Sequence, residues 1–410
     1  MSIREIYVIH HSHTDIGYTD LQERILFTQV NHIRRAVEIT AKENPDFRWN
    51  CETWFCVTEF LKQASEAEKN AFFALAAEGK IGISANYLNF NDLCDIKALR
   101  ARLSDMRSLL DDKGISCKSA MIADINGVSM GYRDALIDYG VDFFYTNIHC
   151  HHGMYPLRQN QTAYFWECED GRHLLVWNGE HYNIGNAMGI LPRASSDGFM
   201  YSYFGTGQNT DDRGELLRDN IRRYTKELED SGYPYDFLPV SVSGEFSDNA
   251  PPNVQVIETI EAYNSTRAAD MPKLIMCTLD ELYRRIKPKL TDIPAYRGDL
   301  TDWWANGIGS APYYAKHYRE AQRIRNICDV LDEKAQLHNA DLIRKCENNL
   351  LLYAEHTYGH SATASDPCLT IVMNLDIRKN SYASAAHEAA SARLNELQFA
   401  LGDKLAYYKG

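Results

Sequence analysis

Up to about residue 290, short apolar runs rich in β-favouring residues alternate with longer stretches of helical periodicity. Ile6–His10 reads as a strand, and a helical pattern follows over Leu21–Lys42. Phe47–Glu52, Ile81–Tyr87, Ala120–Asp124, Val141–Asn147, Phe237–Val242 and Leu274–Cys277 read as further strands, with helices such as Ile96–Leu110 and Met130–Tyr139 between them. Apolar runs of about four to six residues joined by helices of about ten or more point to βαβ units and a buried parallel sheet. About seven strands in one series favour a closed or nearly closed α/β barrel. Catalytic residues are then expected where strands end and helices begin.

Two stretches interrupt the series. Ala163–His181 holds two β-like runs around Glu169-Asp170-Gly171 and reads as a hairpin inserted near the barrel mouth. Pro192–Asp211 is rich in Gly, Ser, Tyr and Asp and reads as a surface loop; its Gly205-Thr206-Gly207 lacks the preceding strand and third glycine of a dinucleotide fingerprint. After Arg297 the texture changes to three long helical patterns, Tyr313–Leu337, Asp341–Tyr358 and Ser381–Leu405, with no strand between them. The expected organisation is a barrel over 1–297 and a three-helix bundle over 298–410.

Composition narrows the function classes. The 410 residues carry 43 Lys and Arg against 56 Asp and Glu, a formal net charge of −13, and no basic run relieves it. That disfavours nucleic acid or an anionic membrane as partner. No apolar run is long enough to span a bilayer, and the apolar stretch near the N-terminus is too short for a secretory signal, so a cytoplasmic protein is expected. The ten cysteines form no Cys-x-x-Cys pair and read as small buried hydrophobes. Whether the chain forms a homo-oligomer stays open.

The densest polar cluster is His10-His11-Ser12-His13-Thr14-Asp15-Ile16-Gly17-Tyr18, directly after the first strand. Residues two apart on a strand face the same way, so His13 and Asp15 can present an imidazole and a carboxylate side by side, a common metal-ligand pair. Asp124 closes an apolar strand before a Gly-containing turn, where a barrel keeps its catalytic rim; Ser129 is the better cap for the helix that follows. Glu245 and Asp248 lie beyond Phe237–Val242 and face the same rim, although Asp-Asn before Pro-Pro is also ordinary helix-start chemistry. Glu355-His356-Thr357-Tyr358-Gly359-His360 offers a histidine from the bundle. His149-Cys150-His151-His152 cannot converge on one ion without a sharp turn, because neighbours on a strand alternate faces; His149 is kept as a pocket residue and the rest as rim.

These motifs together resemble glycoside hydrolase family 38, the α-mannosidases. His13-Thr14-Asp15-Ile16-Gly17-Tyr18 resembles the family's zinc signature, with Tyr18 in the usual Trp position. Asp124-Ile125-Asn126-Gly127 is similar to its nucleophile segment, and Glu355-His356-Thr357-Tyr358-Gly359 to the segment carrying its second histidine. Asp299-Leu300-Thr301-Asp302-Trp303-Trp304 resembles the start of the family's helical domain. The resemblance implies a (β/α)7 barrel, Zn²⁺ held by His13, Asp15, Asp124 and His356, and retaining hydrolysis of α-linked mannosides in an oligosaccharide or glycoside. Asp124 matches the nucleophile; Glu245 and Asp248 compete for the proton donor, with Asp248 slightly preferred. Tyr18, His149, His181 and Tyr182 are the substrate-binding candidates. Asn147 stands in a segment where many members carry Arg, and the paired-Asp acid motif is not recognisable. Family members usually continue into C-terminal β domains beyond the point matching Gly410. Two other readings compete: a non-catalytic or truncated carbohydrate-binding domain of this fold, and a metal-dependent sugar deacetylase.

Overall fold

The computed structural model describes residues 2–125, 127–147, 157, 159–191, 213–300, 305–334, 336–360 and 362–405, with side chains for all of these except 213, 245–247, 305–306 and 403–405. It is a mixed α/β chain with a helical C-terminal part. Contacts divide it into two compact units: Met1–Asp15, Ile25–Asn89 and Leu103–Trp303 form the first, and Ile16–Arg24, Phe90–Arg102 and Trp304–Gly410 the second. The second unit therefore includes two short stretches from the N-terminal half besides the C-terminal helices.

The first unit holds ten strands among its described residues: β1 (Glu5–His13), β2 (Trp49–Cys51), β3 (Ile81–Ile83), β4 (Ser119–Ala123), β5 (Phe143–Asn147), β6 (Thr162–Glu167), β7 (His173–Asn178), β8 (Phe237–Asp248), β9 (Lys273–Met276) and β10 (Ala295–Tyr296). They form three separate sheets, in the orders β8-β1-β9, β10-β6-β7-β5-β4 and β2-β3. Every pairing is parallel except β6 with β7. The expected series of parallel strands is thus present, but the sheets stay short and do not join into one closed ring among the described residues. β1 lies between two neighbours and is buried from Ile6 onward, which explains why its sequence runs apolar without alternation. It extends three residues past the expected end at His10, because its register with β8 slips between His11 and His13 and then resumes with His13 opposite Asp248.

The hairpin differs from expectation in its role. Its turn is as read, with Gly171 at φ +86° and Cys168 N–H donating to the Arg172 carbonyl at 2.7 Å. β7, however, pairs in parallel with β5, so it is a strand of the main sheet rather than an insertion. Its His-Leu-Leu-Val-Trp-Asn run is buried from Leu174 onward and needs cover on both faces. Ser129 caps the helix Met130–Tyr139 as expected, its hydroxyl accepting from Tyr132 N–H. The described cysteines are all free, and all but Cys94 and Cys368 are buried.

In the second unit, Pro312–Leu331, Ala340–Ala354 and Thr370–Leu405 pack against one another, with Ala383, Ala386, Ala389 and Ala390 allowing close approach along the longest helix. That helix starts eleven residues before the expected Ser381. Its first turns expose Met373 and Ile377 while burying Val372 and Leu375, a mixture that blurs the periodicity. The middle helix ends at Ala354, so Glu355 to His360 lie beyond it rather than on it. Among the described residues, no helix is long and apolar enough to cross a membrane.

Two buried histidines of the first unit make stability depend on acid. His10 sits edge-on to Phe47 and Trp49, and desolvation pushes its titration down to about 3; His32 is likewise pushed down to about 4. Both folded values lie below the unfolded value near 6.5, so the unfolded chain takes up protons first and stability is lost as pH falls through that value. For His32, the loss between pH 7 and pH 5 should be about 1–2 kcal/mol. Urea unfolding should show His32→Gln gaining on the wild type by that amount over this interval. A constant difference between the two proteins would mean that folded His32 protonates normally.

Candidate active site

Two strand ends of the first unit supply the polar cluster. His13 is the last residue of β1, Asp15 follows it, and Asp124 follows β4. All three are buried, and one ligand atom from each lies within 4.8 Å of the others. His13 Nε2 is 3.1 Å from Asp15 Oδ1 and 3.6 Å from Asp124 Oδ2. β1 ends at His13, so Asp15 reaches the imidazole from the segment just past the strand rather than from a strand position.

The backbone is fixed around these groups. Asn249 N–H donates to the His13 carbonyl at 2.8 Å, and its side-chain oxygen accepts from Asp15 N–H at 3.2 Å and Gln29 Nε2 at 2.9 Å. Asn249 adopts φ +50°, a left-handed conformation that Asn tolerates better than most residues. Asp124 has φ +73° and donates its N–H to the Asn147 carbonyl at 3.0 Å. A non-glycine residue held there carries backbone strain of about 1–3 kcal/mol, the kind that surrounding structure sustains at working sites.

Tyr182 and Asp248 adjoin the cluster. The Tyr182 ring stacks on His13 with centroids 4.5 Å apart, and its hydroxyl donates to Asp248 Oδ1 at 2.8 Å. Burial, reinforced by the Asp15 carboxylate, pushes the Asp248 carboxyl up to about 6. Burial and the same carboxylates hold the Tyr182 phenol protonated far above its ordinary range. His181 lies 4.0 Å from the Tyr182 ring, and its Nδ1 accepts from Asn183 N–H.

Glu52 belongs to this cluster although sequence reading did not single it out. It is buried, with Oε2 2.6 Å from His11 Nδ1 and Oε1 3.2 Å from His13 Nδ1. Its only signal was its place at the end of the expected strand Phe47–Glu52. Burial favours the neutral acid, but the two histidines more than reverse that and hold the carboxyl below its usual range. For His13, burial opposes the charge, and Asp15 and Glu52 raise its titration well above normal. An imidazole among carboxylates in a dry setting calls for positive charge, whether a proton or a metal ion.

Tyr18 and His356 belong to the second unit. Tyr18 is half-buried at φ +57° and forms an isolated bridge with His360, their rings 6.3 Å apart. Gly17 before it has φ +115°, which suits glycine alone. His356 is buried with Nδ1 2.9 Å from Glu355 Oε1. Glu355 also meets Lys379 Nζ at 3.0 Å and accepts from the N–H groups of Ile16 and Thr357. Of the remaining candidates, His149 lies outside the described residues. Glu245 has a described backbone within β8, but its side chain lies outside them.

The donor set in the first unit could hold a metal ion. One imidazole and two carboxylates bring ligand atoms within 4.8 Å of one another, with a further carboxylate behind the imidazole.

A sequence model described as the glycosyl hydrolases family 38 N-terminal domain matches residues 4–299. Among solved structures, an alpha-mannosidase from Enterococcus faecalis V583 is 14% identical, with a TM-score of 0.71 over 98% of this chain and 43% of that one. A glycosyl hydrolase family 38 protein from Enterococcus faecalis is 12% identical, with a TM-score of 0.57 over 97% and 41%. A 4-alpha-glucanotransferase from Thermococcus litoralis is 10% identical, with a TM-score of 0.52 over 93% and 60%. The chain thus spans less than half the length of the two Enterococcus proteins. No curated protein matches it in sequence.

Asn249 is the residue whose loss should loosen the cluster's backbone. Asn249→Ala removes the acceptor from two buried donors, Asp15 N–H and Gln29 Nε2, and should cost about 1–3 kcal/mol in urea unfolding. An unchanged midpoint would show that these donors find other partners.

Proposed function

The chain belongs to glycosyl hydrolase family 38, and from that membership we propose that it is a zinc-dependent retaining glycosidase acting on α-linked mannosides. The observation that carries the reading is the convergence of His13, Asp15 and Asp124 at the strand ends that the family's motifs occupy. On this reading the short, largely parallel sheets are arcs of a (β/α)7 barrel, and the protein works in the cytoplasm.

His356 is proposed as the fourth ligand, on the strength of its motif. When bound, zinc would orient neighbouring sugar hydroxyls and offset charge in the transition state. Asp124 is the proposed nucleophile: its carboxylate attacks the anomeric carbon, and its backbone hydrogen bond to Asn147 fixes the direction of approach. Asp248 is the proposed proton donor. Its raised titration keeps a proton available at higher pH than an ordinary aspartate would, and the Tyr182 hydroxyl holds its Oδ1. Glu245 remains the alternative donor. Tyr18, His149, His181 and Tyr182 are proposed to line the sugar site; of these, Tyr182 is engaged with His13 and Asp248, which makes it a positioning group as well.

Elemental analysis of the purified protein should find about one zinc per chain. His13→Ala and Asp15→Ala should each lose most of it, and His356→Ala should lose more than His360→Ala. Full retention in the His13 and Asp15 variants would remove these residues from the site.

A panel of aryl glycosides should single out α-mannosides, with Asp124→Ala abolishing turnover. A slow fluorinated glycosyl donor should label Asp124, and a label on Glu245 or Asp248 would reverse the assignment. Zinc retained without turnover of any glycoside would favour a non-catalytic carbohydrate-binding role.

A further inference from the structure

An ionised carboxylate only accepts hydrogen bonds, so every polar group meeting it must donate. Four groups meet Glu52. His11 Nδ1 lies 2.6 Å from Oε2. On Oε1, His13 Nδ1 lies at 3.2 Å, Thr14 N–H at 3.1 Å and Asn89 Nδ2 at 2.5 Å. The orientation of Asn89 is itself fixed. Its oxygen accepts from Ala123 N–H at 3.3 Å and Asn86 Nδ2 at 3.0 Å, which turns its amide nitrogen toward Glu52. Ala123 is the last residue of β4, next to Asp124.

From this pattern we infer that Glu52 is the positioning residue of the metal site, setting both the tautomer of His13 and the spacing of the two strand ends that carry the ligands. With the proton on Nδ1 donated to Glu52, the His13 lone pair stands on Nε2, the nitrogen that faces Asp15 and Asp124. Through Thr14, Glu52 fixes the segment between His13 and Asp15. Through Asn89, it fixes the end of β4 beside Asp124. A group that merely satisfied a buried histidine would need one of these contacts, whereas Glu52 makes all of them on two oxygens.

The inference rests on the metal-site reading above, and the test separates the two. The isosteric Glu52→Gln brings two N–H donors where the site offers only donors. Its oxygen would take the crowded Oε1 position, leaving a neutral acceptor for His13 and an amide facing His11. Zinc titration of the metal-stripped full chain against a competing chelator should show binding about 10- to 100-fold weaker for Glu52→Gln. His10→Gln, on the same strand but without contact to Glu52, serves as the control; it should lower thermal stability and leave zinc affinity near that of the wild type. The Nδ1 proton of His13, followed by nitrogen NMR in the zinc-loaded wild type, should be protected from exchange and lose that protection in Glu52→Gln. Wild-type affinity in Glu52→Gln, with zinc lost in His13→Ala, overturns the positioning role alone. Equal weakening in Glu52→Gln and His10→Gln also overturns it, because general loosening would then suffice. Full zinc binding in His13→Ala would instead overturn the metal-site reading.

Discussion

The burial of negative charge at the ends of parallel strands is the constraint around which the first unit is organised. Asp15, Glu52 and Asp124 are buried beside one imidazole, with Asp248 one aromatic ring away. A carboxylate out of water is costly unless donors surround it. The chain meets that cost with short-range donors, four around Glu52 and the Tyr182 hydroxyl on Asp248, while Asn249 holds the backbone by accepting from the Asp15 N–H. Asn89 shows how an amide serves this need, donating to the Glu52 carboxylate while accepting from the Ala123 backbone N–H.

Parallel pairing provides the rigid frame. β1 is held along both edges, and its register with β8 slips by three residues just before His13, which brings that residue opposite Asp248 instead of Glu245. β4 and β5 stay in register to their ends, so Asp124 emerges beside Asn147 with its N–H anchored across the gap. The side chains that meet at the site therefore come from positions far apart in sequence but adjacent in the sheets. This is the arrangement that lets strand ends carry chemistry while strand interiors carry packing.

How much of this was legible in the sequence follows from the range of each interaction. His13 and Asp15 are two apart at the end of a strand, close enough in sequence for local pattern to suggest their approach, although Asp15 lies just past the strand. Asp124 was visible because an acid directly after a run of small apolar residues has little structural reason to be there. Glu52 occupies a similar strand end, but it stands as a single acid with no neighbouring histidine in sequence; its partners are 41 and 39 residues away. The roles of β7 and of the helix from Thr370 were misjudged for a related reason. Local pattern gives an element's type, but not whether a run joins an existing sheet or where a mixed, half-exposed helix begins. Closure of a barrel is harder still, because it depends on pairings between strands whose own sequences carry no record of their neighbours.

The second unit repeats one chemical device independently. His356 lies just past a helix end with Nδ1 facing Glu355, as His13 has Nδ1 facing Glu52. In the second unit the glutamate is balanced by the buried Lys379, which burial pushes toward the neutral form and Glu355 holds back. In the first unit the balancing positive charge must come from the histidines themselves or from a bound cation. The two pairs thus differ in what completes them. The Glu355 pair has a buried lysine beside it, whereas three carboxylates, Asp15, Glu52 and Asp124, share the one His13 imidazole, an excess of acid groups. A site left with such an excess is suited to binding a cation, and binding confined to the folded state would return part of the cost of burying those charges.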